Sequence, residues 1–131
     1  MINIMIVDDE EEVAQLFAES LAQSGFRVSV YCDGSAALNS CVHSRYSLVI
    51  IDVNMPNIDG ISLLQMIRAQ RPGMPCILLS GRGVPRNNEI ILEADAFVLK
   101  IDGPRKLLSS VIQVLARRGI NAGSSQTDAS I

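Results

Sequence analysis

Leu48-Val49-Ile50-Ile51-Asp52-Val53-Asn54-Met55-Pro56-Asn57-Ile58-Asp59-Gly60 decides how the rest of this 131-residue chain is read. Its first four residues are apolar and mostly β-branched, the mark of a strand buried on both faces. The run then ends on a carboxylate, Asp52. A charge inside the core is costly, but at a strand's mouth beside a cation it is useful. Pro56 and then Asp59-Gly60 force a turn and offer a helix start. The segment therefore holds one carboxylate rigidly at the end of a buried strand.

Outward from it, strand and helix patterns alternate. Upstream, Ile4 to Val7 is a short apolar run followed at once by the acids Asp8 to Glu12. Val13, Leu16, Phe17 and Leu21 repeat at helical spacing, and Gly25 closes that helix. Its acidic first turn suits the positive end of the helix dipole. Phe26 to Tyr31 alternates as a strand. Asp33-Gly34 turns the chain into a small-residue helix, Ser35 to Cys41, with Leu38, Cys41 and Val42 on one side. Downstream, Ile61 to Arg68 is a helix with Leu63, Leu64 and Ile67 inward, broken at 71–75. Cys76 to Leu79 is a fourth strand ending on Ser80. The loop Gly81 to Pro85 leads to a short helix running to about Glu93. Ala96 to Leu99 is a fifth strand ending on Lys100. Gly103-Pro104 suits a helix entry, and Leu107, Leu108, Val111, Ile112 and Leu115 then share one face. Alternating βα units imply a parallel sheet with right-handed crossovers and helices on both sides.

Bulk properties narrow the function. The length suits one domain, and 48% hydrophobic residues suit a packed core rather than disorder. No apolar run approaches the roughly 18–20 residues that span a bilayer, and the first residues lack a basic signal-peptide region. A cytoplasmic location without membrane contact is expected. A net charge of −3 argues against nucleic-acid binding by this segment. Cys32, Cys41 and Cys76 have no metal-binding spacing and are expected to be buried, reduced thiols. His43 is the only histidine, which excludes a multi-histidine metal site.

In an open parallel sheet, sites form outside the carboxyl ends of the strands. Asp8 and Asp9, Asp52, Ser80 and Lys100 end the first, third, fourth and fifth strands. Three carboxylates brought together repel one another, and a divalent cation removes that conflict. Oxygen-only ligands favour magnesium over zinc and leave positions open for phosphate oxygens. Lys100 adds a point charge and Ser80 a hydroxyl, both suited to phosphoryl oxygens. A carboxylate is itself a nucleophile that can form an acyl phosphate.

These features resemble the receiver domain of bacterial two-component response regulators. The resemblance rests on Asp8-Asp9, on Asp52 to Gly60, on Ser80-Gly81 and on Phe97-Val98-Leu99-Lys100, and covers residues 2 to about 118. It implies a flavodoxin-like (βα)5 doubly wound sheet of five parallel strands in the order 2-1-3-4-5. The receiver would span 1–118, and 119–131 would be a polar disordered tail or the start of a linker. By the resemblance, Asp52 accepts a phosphoryl group from the phosphohistidine of a sensor histidine kinase or phosphotransfer protein. Mg2+ (or Mn2+) would be bound by Asp8, Asp9, Asp52 and the backbone carbonyl of Asn54. Ser80 and Lys100 would hold the phosphoryl oxygens, Ser80 and Phe97 would form the switch, and the side chains of Asn54 and Arg82 would flank the phosphoryl group.

The chain departs from that family at several points. Ile101 stands where receivers usually carry a cis proline, and a non-proline cis bond costs about 2.5–4 kcal/mol, so a trans Lys100-Ile101 bond is expected. The interval from Ser80 to Lys100 is short, which predicts a shortened or irregular fourth helix. Ile90-Ile91-Leu92 cannot all face inward on that helix and predicts an apolar spot there, on a face shared with the fifth strand and the last helix. A second copy or an effector would dock on that face. Two other readings compete. Magnesium-dependent phosphatases on a related sheet place an aspartate two residues after the nucleophile, where this chain has Asn54. A pseudo-receiver, an interaction module not regulated by phosphorylation, is expected to have lost an acid, the hydroxyl or the lysine, and all are present.

Overall fold

The computed structural model describes residues 1–56, 58–81 and 93–120. Five strands form one parallel sheet: β1 (Asn3–Val7), β2 (Arg27–Tyr31), β3 (Leu48–Asp52), β4 (Cys76–Ser80) and β5 (Ala96–Leu99). Their order is β2-β1-β3-β4-β5. The flavodoxin-like arrangement expected from the sequence is therefore present. Among the described residues, α1 (Glu11–Gln23), α2 (Gly34–His43) and α3 (Gly60–Gln70) connect successive strands, and α4 (Gly103–Arg117) follows β5. The short helix expected between β4 and β5, together with Ile90-Ile91-Leu92, falls outside the described residues.

The two-residue period of the strands divides the core in two. Ile4, Ile6, Leu48, Ile50, Ile77, Leu79 and Val98 point to one face, where α1 and α4 cover them with Phe17, Leu21, Leu107, Val111 and Leu115. Met5, Val7, Val49, Ile51, Cys76 and Leu78 point to the other, beneath Cys41 of α2 and Leu63, Leu64 and Ile67 of α3. β3 and β4 are buried along their whole length, which explains their unbroken apolar sequence. β2, at an edge, is half-buried.

Helix faces were less legible than strand faces. Leu16 is 56% exposed, because α1 buries Ala14, Phe17, Ala18 and Leu21. Two residues beyond Ala14 is about 200° round a helix, away from that stripe. Ile112 is likewise 48% exposed on α4, displaced by Val114. Val42 also faces outward. Cys41 and Cys76 are buried thiols as expected, but Cys32, just past β2, is exposed. No peptide bond among the described residues is cis, so Lys100-Ile101 is trans as expected.

The sheet's upper edge depends on local turn chemistry. Asp59 caps α3, accepting from the N–H groups of Ile61 (3.0 Å) and Ser62 (2.8 Å). Behind it, Gly60 lies against β3: a Cβ there would fall 2.6 Å from the carbonyl oxygen of Asp52. Only glycine lets the helix start press so closely on the strand end. At the far end of the chain, Gly119 (φ 75°) lets Ile120 donate back to the Leu115 carbonyl at 2.8 Å. Ile120 then packs on the α1–α4 core, two residues past Arg118.

Candidate functional site

The strands deliver their polar ends to one cleft of about 340 Å³, lined by Asp9, Glu10, Asp52, Asn54, Gly81 and Lys100. Asp8 continues the stripe of Ile4 and Ile6 along β1, and Asp52 that of Leu48 and Ile50 along β3. The same alternation that builds the core therefore aims both carboxylates to one side. Each is buried, and each is fixed by a tight turn. Asp8 Oδ1 accepts the Glu10 N–H at 2.9 Å, and Asp52 Oδ1 accepts the Asn54 N–H at 3.1 Å. Ser80, also buried, pairs in register with Leu99 and lies on the opposite alternation, with Leu78 and Phe97.

Lys100 follows β5 in a 3-10 turn, Lys100–Asp102, and reaches back across the strand ends. Its Nζ lies 2.7 Å from Glu10 Oε1, 2.9 Å from Asp8 Oδ2 and 3.3 Å from Asp52 Oδ2. Burial opposes its charge, but hydrogen bonds to Glu10 and Asp8 outweigh that and lift its pKa above the usual lysine value. One ammonium thus faces three carboxylates.

That balance leaves the acids under-compensated. Asp8, Glu10 and Asp52 each offer an oxygen within 4.8 Å of the others. Two carboxylates that close repel by at least roughly 3 kcal/mol at an effective dielectric near 20. Burial pushes the Asp52 carboxyl up to about 7, and the Asp8 charge adds to it; the Asn54 N–H and Lys100 pull the other way. Asp8 Oδ2 is buried and accepts no hydrogen bond, facing Lys100 only across the ion contact. An all-oxygen, net-negative group with a buried oxygen that accepts no hydrogen bond fits a hard divalent cation.

A family model for the response regulator receiver domain matches residues 4–112. The chain belongs to that family. PrrA of Mycobacterium leprae, a transcriptional regulatory protein, is 34% identical over 93% of this chain and 53% of its own length. The receiver thus spans about half the length of the curated relatives it matches. Among solved structures, a receiver domain from Methanospirillum hungatei superposes with a TM-score of 0.84 at 26% identity, covering 91% of this chain and 97% of that one. The response regulator TrrA of Thermotoga maritima, in complex with Mg2+ and a beryllium fluoride, gives 0.81 at 30% identity, covering 88% and 100%. TrrA in complex with the histidine kinase ThkA gives 0.79 at 30%, covering 88% and 99%.

Most site residues read from the sequence meet at this receiver's cleft. Asp8, Asp52 and Lys100 are in mutual contact, and Asn54 and Asp9 line the rim. Asp9 is exposed and outside the group of three close carboxylates. Phe97 is half-buried in β5 on the α3 side. Arg82 lies outside the described residues. Sequence reasoning missed Glu10, which takes the shortest contact to Lys100. The only signal for it was its place in the acidic run, where it looked like one more helix-dipole residue.

Proposed function

We propose that Asp52 is the phosphoacceptor of a magnesium-dependent phosphorelay switch. The observation that carries this reading is the buried Asp52 carboxylate held between the Asn54 N–H and Lys100 Nζ at the open edge of the sheet. An Asp52 carboxylate oxygen attacks phosphorus and forms the acyl phosphate. The bond from phosphorus to the donor's imidazole nitrogen breaks, and its electron pair leaves with the imidazole. Lys100 Nζ and the Ser80 hydroxyl hold the phosphoryl oxygens as charge builds on them. Asp8, Asp9, Asp52 and the Asn54 carbonyl would hold Mg2+ or Mn2+. The cation supplies charge neutralisation between the carboxylates and the incoming phosphoryl group. The side chains of Asn54 and Arg82 flank that group and set how long it survives.

The partner is a sensor histidine kinase or a phosphotransfer protein, a reading supported by the TrrA–ThkA complex. The output is conformational: Ser80 moves towards the phosphoryl group and Phe97 follows inward. The domain thus catalyses its own phosphorylation and dephosphorylation and acts on no metabolite. An effector or a second copy would dock on the face of the fourth helix expected before β5, of β5 and of α4; on α4, Arg105, Leu108, Ser109, Ile112 and Gln113 line a shallow cleft of about 400 Å³. No helix of the described residues is long and apolar enough to cross a membrane. The receiver occupies 1–118, and 119–131 is a polar tail or the start of a linker.

Incubation with Mg2+ and acetyl phosphate, followed by intact mass, tests the acceptor directly. One added phosphate is expected on wild type and none on Asp52→Asn. A wild type that stays unmodified, though folded, would instead make this a pseudo-receiver.

A further inference from the structure

An ammonium group has three N–H donors, and three carboxylates compete for those of Lys100. Lys100 Nζ donates to Glu10 Oε1 at 2.7 Å, to Asp8 Oδ1 at 3.2 Å and to Asp52 Oδ2 at 3.3 Å, with Asp8 Oδ2 in ion contact at 2.9 Å. A phosphoryl group on Asp52 brings new oxygens to the same ammonium, so one resting contact has to give way. The three carboxylates differ in what release would cost them. Asp8 is wholly buried, and its Oδ2 accepts no hydrogen bond in compensation. Asp52 is itself the group being modified. The Glu10 side chain is 59% exposed and can turn into water with its charge fully solvated.

The backbone presents that side chain to the lysine. The Glu10 N–H donates to Asp8 Oδ1 at 2.9 Å, and its carbonyl accepts the Ala14 N–H of the first α1 turn at 2.9 Å. The residue is thus pinned at both ends by bonds that do not involve its carboxylate. We propose that Glu10 is a displaceable placeholder: it holds Lys100 in the unphosphorylated site and yields that donor to the phosphoryl group. The strength of the Glu10–Lys100 contact then sets how readily the site takes a phosphoryl oxygen. Glu10 is a positioning residue, acting through Lys100. This rests on the reading of Asp52 as phosphoacceptor.

The test compares wild type, Glu10→Gln, Glu10→Asp and Glu11→Gln at saturating Mg2+, following phosphate uptake from acetyl phosphate. Glu10→Gln should lower the half-saturating acetyl phosphate about two- to fivefold, the range of a partly exposed ion pair, with the maximal rate little changed. Glu10→Asp keeps the charge but falls short of Lys100 by about 1.5 Å, one carbon–carbon bond, and should behave like Glu10→Gln. Glu11→Gln removes a nearby exposed acid and should match wild type. The same order should appear in calorimetric affinity for beryllofluoride with Mg2+, which needs no turnover. Glu10→Asp behaving as wild type would reduce the effect to charge repulsion and overturn the proposal. So would a Glu10→Gln that binds Mg2+ more weakly and takes up less phosphate, which would make Glu10 a metal ligand. If wild type is phosphorylated and all three variants match it, this inference alone fails. If wild type is not phosphorylated, the acceptor reading fails and takes it along.

Discussion

Two aspartates at opposite ends of the same sheet show how differently one residue type can be used. Asp52 ends β3 at the carboxyl edge and competes with Asp8 and Glu10 for a single ammonium. Asp95 precedes β5 at the opposite edge, where donors are in excess. It accepts the Cys76 N–H at 2.8 Å and Arg118 Nε at 2.9 Å, with Arg68 Nη2 at 3.5 Å. Burial pushes Asp52 up to about 7. Burial also works against the Asp95 charge, but Arg118 and the Cys76 N–H outweigh it and hold the carboxyl below its ordinary value. The first site is charge-starved and ready for a cation or an incoming group. The second is satisfied and ties α3, β4 and α4 together.

Removing Lys100, the one cation among the described residues of the starved site, should do the most damage. Lys100→Met leaves Asp8, Glu10 and Asp52 facing one another, with two of them buried. Stripping one partner from a buried charge group costs about 3–5 kcal/mol, so a loss near that size is expected by urea denaturation at pH 8. Millimolar Mg2+ should recover part of it. A loss under about 1 kcal/mol would mean that the carboxylates relax into water, and the site is less starved than its geometry implies.

The Asp52 carboxyl should show its state through pH. Its folded value, about 7, lies above the ordinary 3.8, so the folded chain holds that proton more tightly than the unfolded one. Ionising it therefore costs stability. The penalty is absent below pH 4, grows between pH 4 and 7, and is complete above. Without metal, Asp52→Asn should match wild type near pH 4 and become the more stable protein by pH 8. Adding Mg2+ at pH 8 should close that gap, since the cation stabilises the folded wild type alone. A stability difference that stays flat across this range would break the contrast with Asp95.

The contrast also marks what could be read from the sequence. Strand ends announced themselves, because a buried apolar run that stops on Asp8, Asp52, Ser80 or Lys100 leaves one place for the polar group. The parallel sheet and the shared edge follow from that alternation, while the strand order 2-1-3-4-5 was implied by the resemblance to receivers. Helix faces were harder, since a period of 3.6 lets Leu16 or Ile112 fit a stripe that the packed neighbours then rotate away from. Asp95 was not foreseen at all. Its partners Cys76, Arg68 and Arg118 lie 19, 27 and 23 residues away, and no local pattern selects one arginine over another. Glu10 failed for a related reason. Its contact with Lys100 spans 90 residues and depends on where the 3-10 turn after β5 puts the amine.

The satisfied site should respond in the opposite sense and more mildly. Asp95→Asn keeps the shape and can still accept from the Cys76 N–H, so what it loses is the charge facing Arg118 and Arg68. Both guanidiniums are partly exposed and can be re-solvated, which limits the cost to about 1–2 kcal/mol at pH 7. Because the folded carboxyl lies below its ordinary value of 3.8, its contribution is fully present above that pH. The contribution fades as pH falls through the lower folded value, and wild type and variant should converge once the pH lies below it. The two aspartates would then have opposite pH signatures in one chain. Mg2+ should leave the Asp95→Asn deficit untouched, because no metal-sized carboxylate group among the described residues includes Asp95. Urea midpoints for wild type and Asp95→Asn, with and without Mg2+, check this. A deficit that Mg2+ erased would mean that the two edges are energetically linked through β5 and α4, not separate.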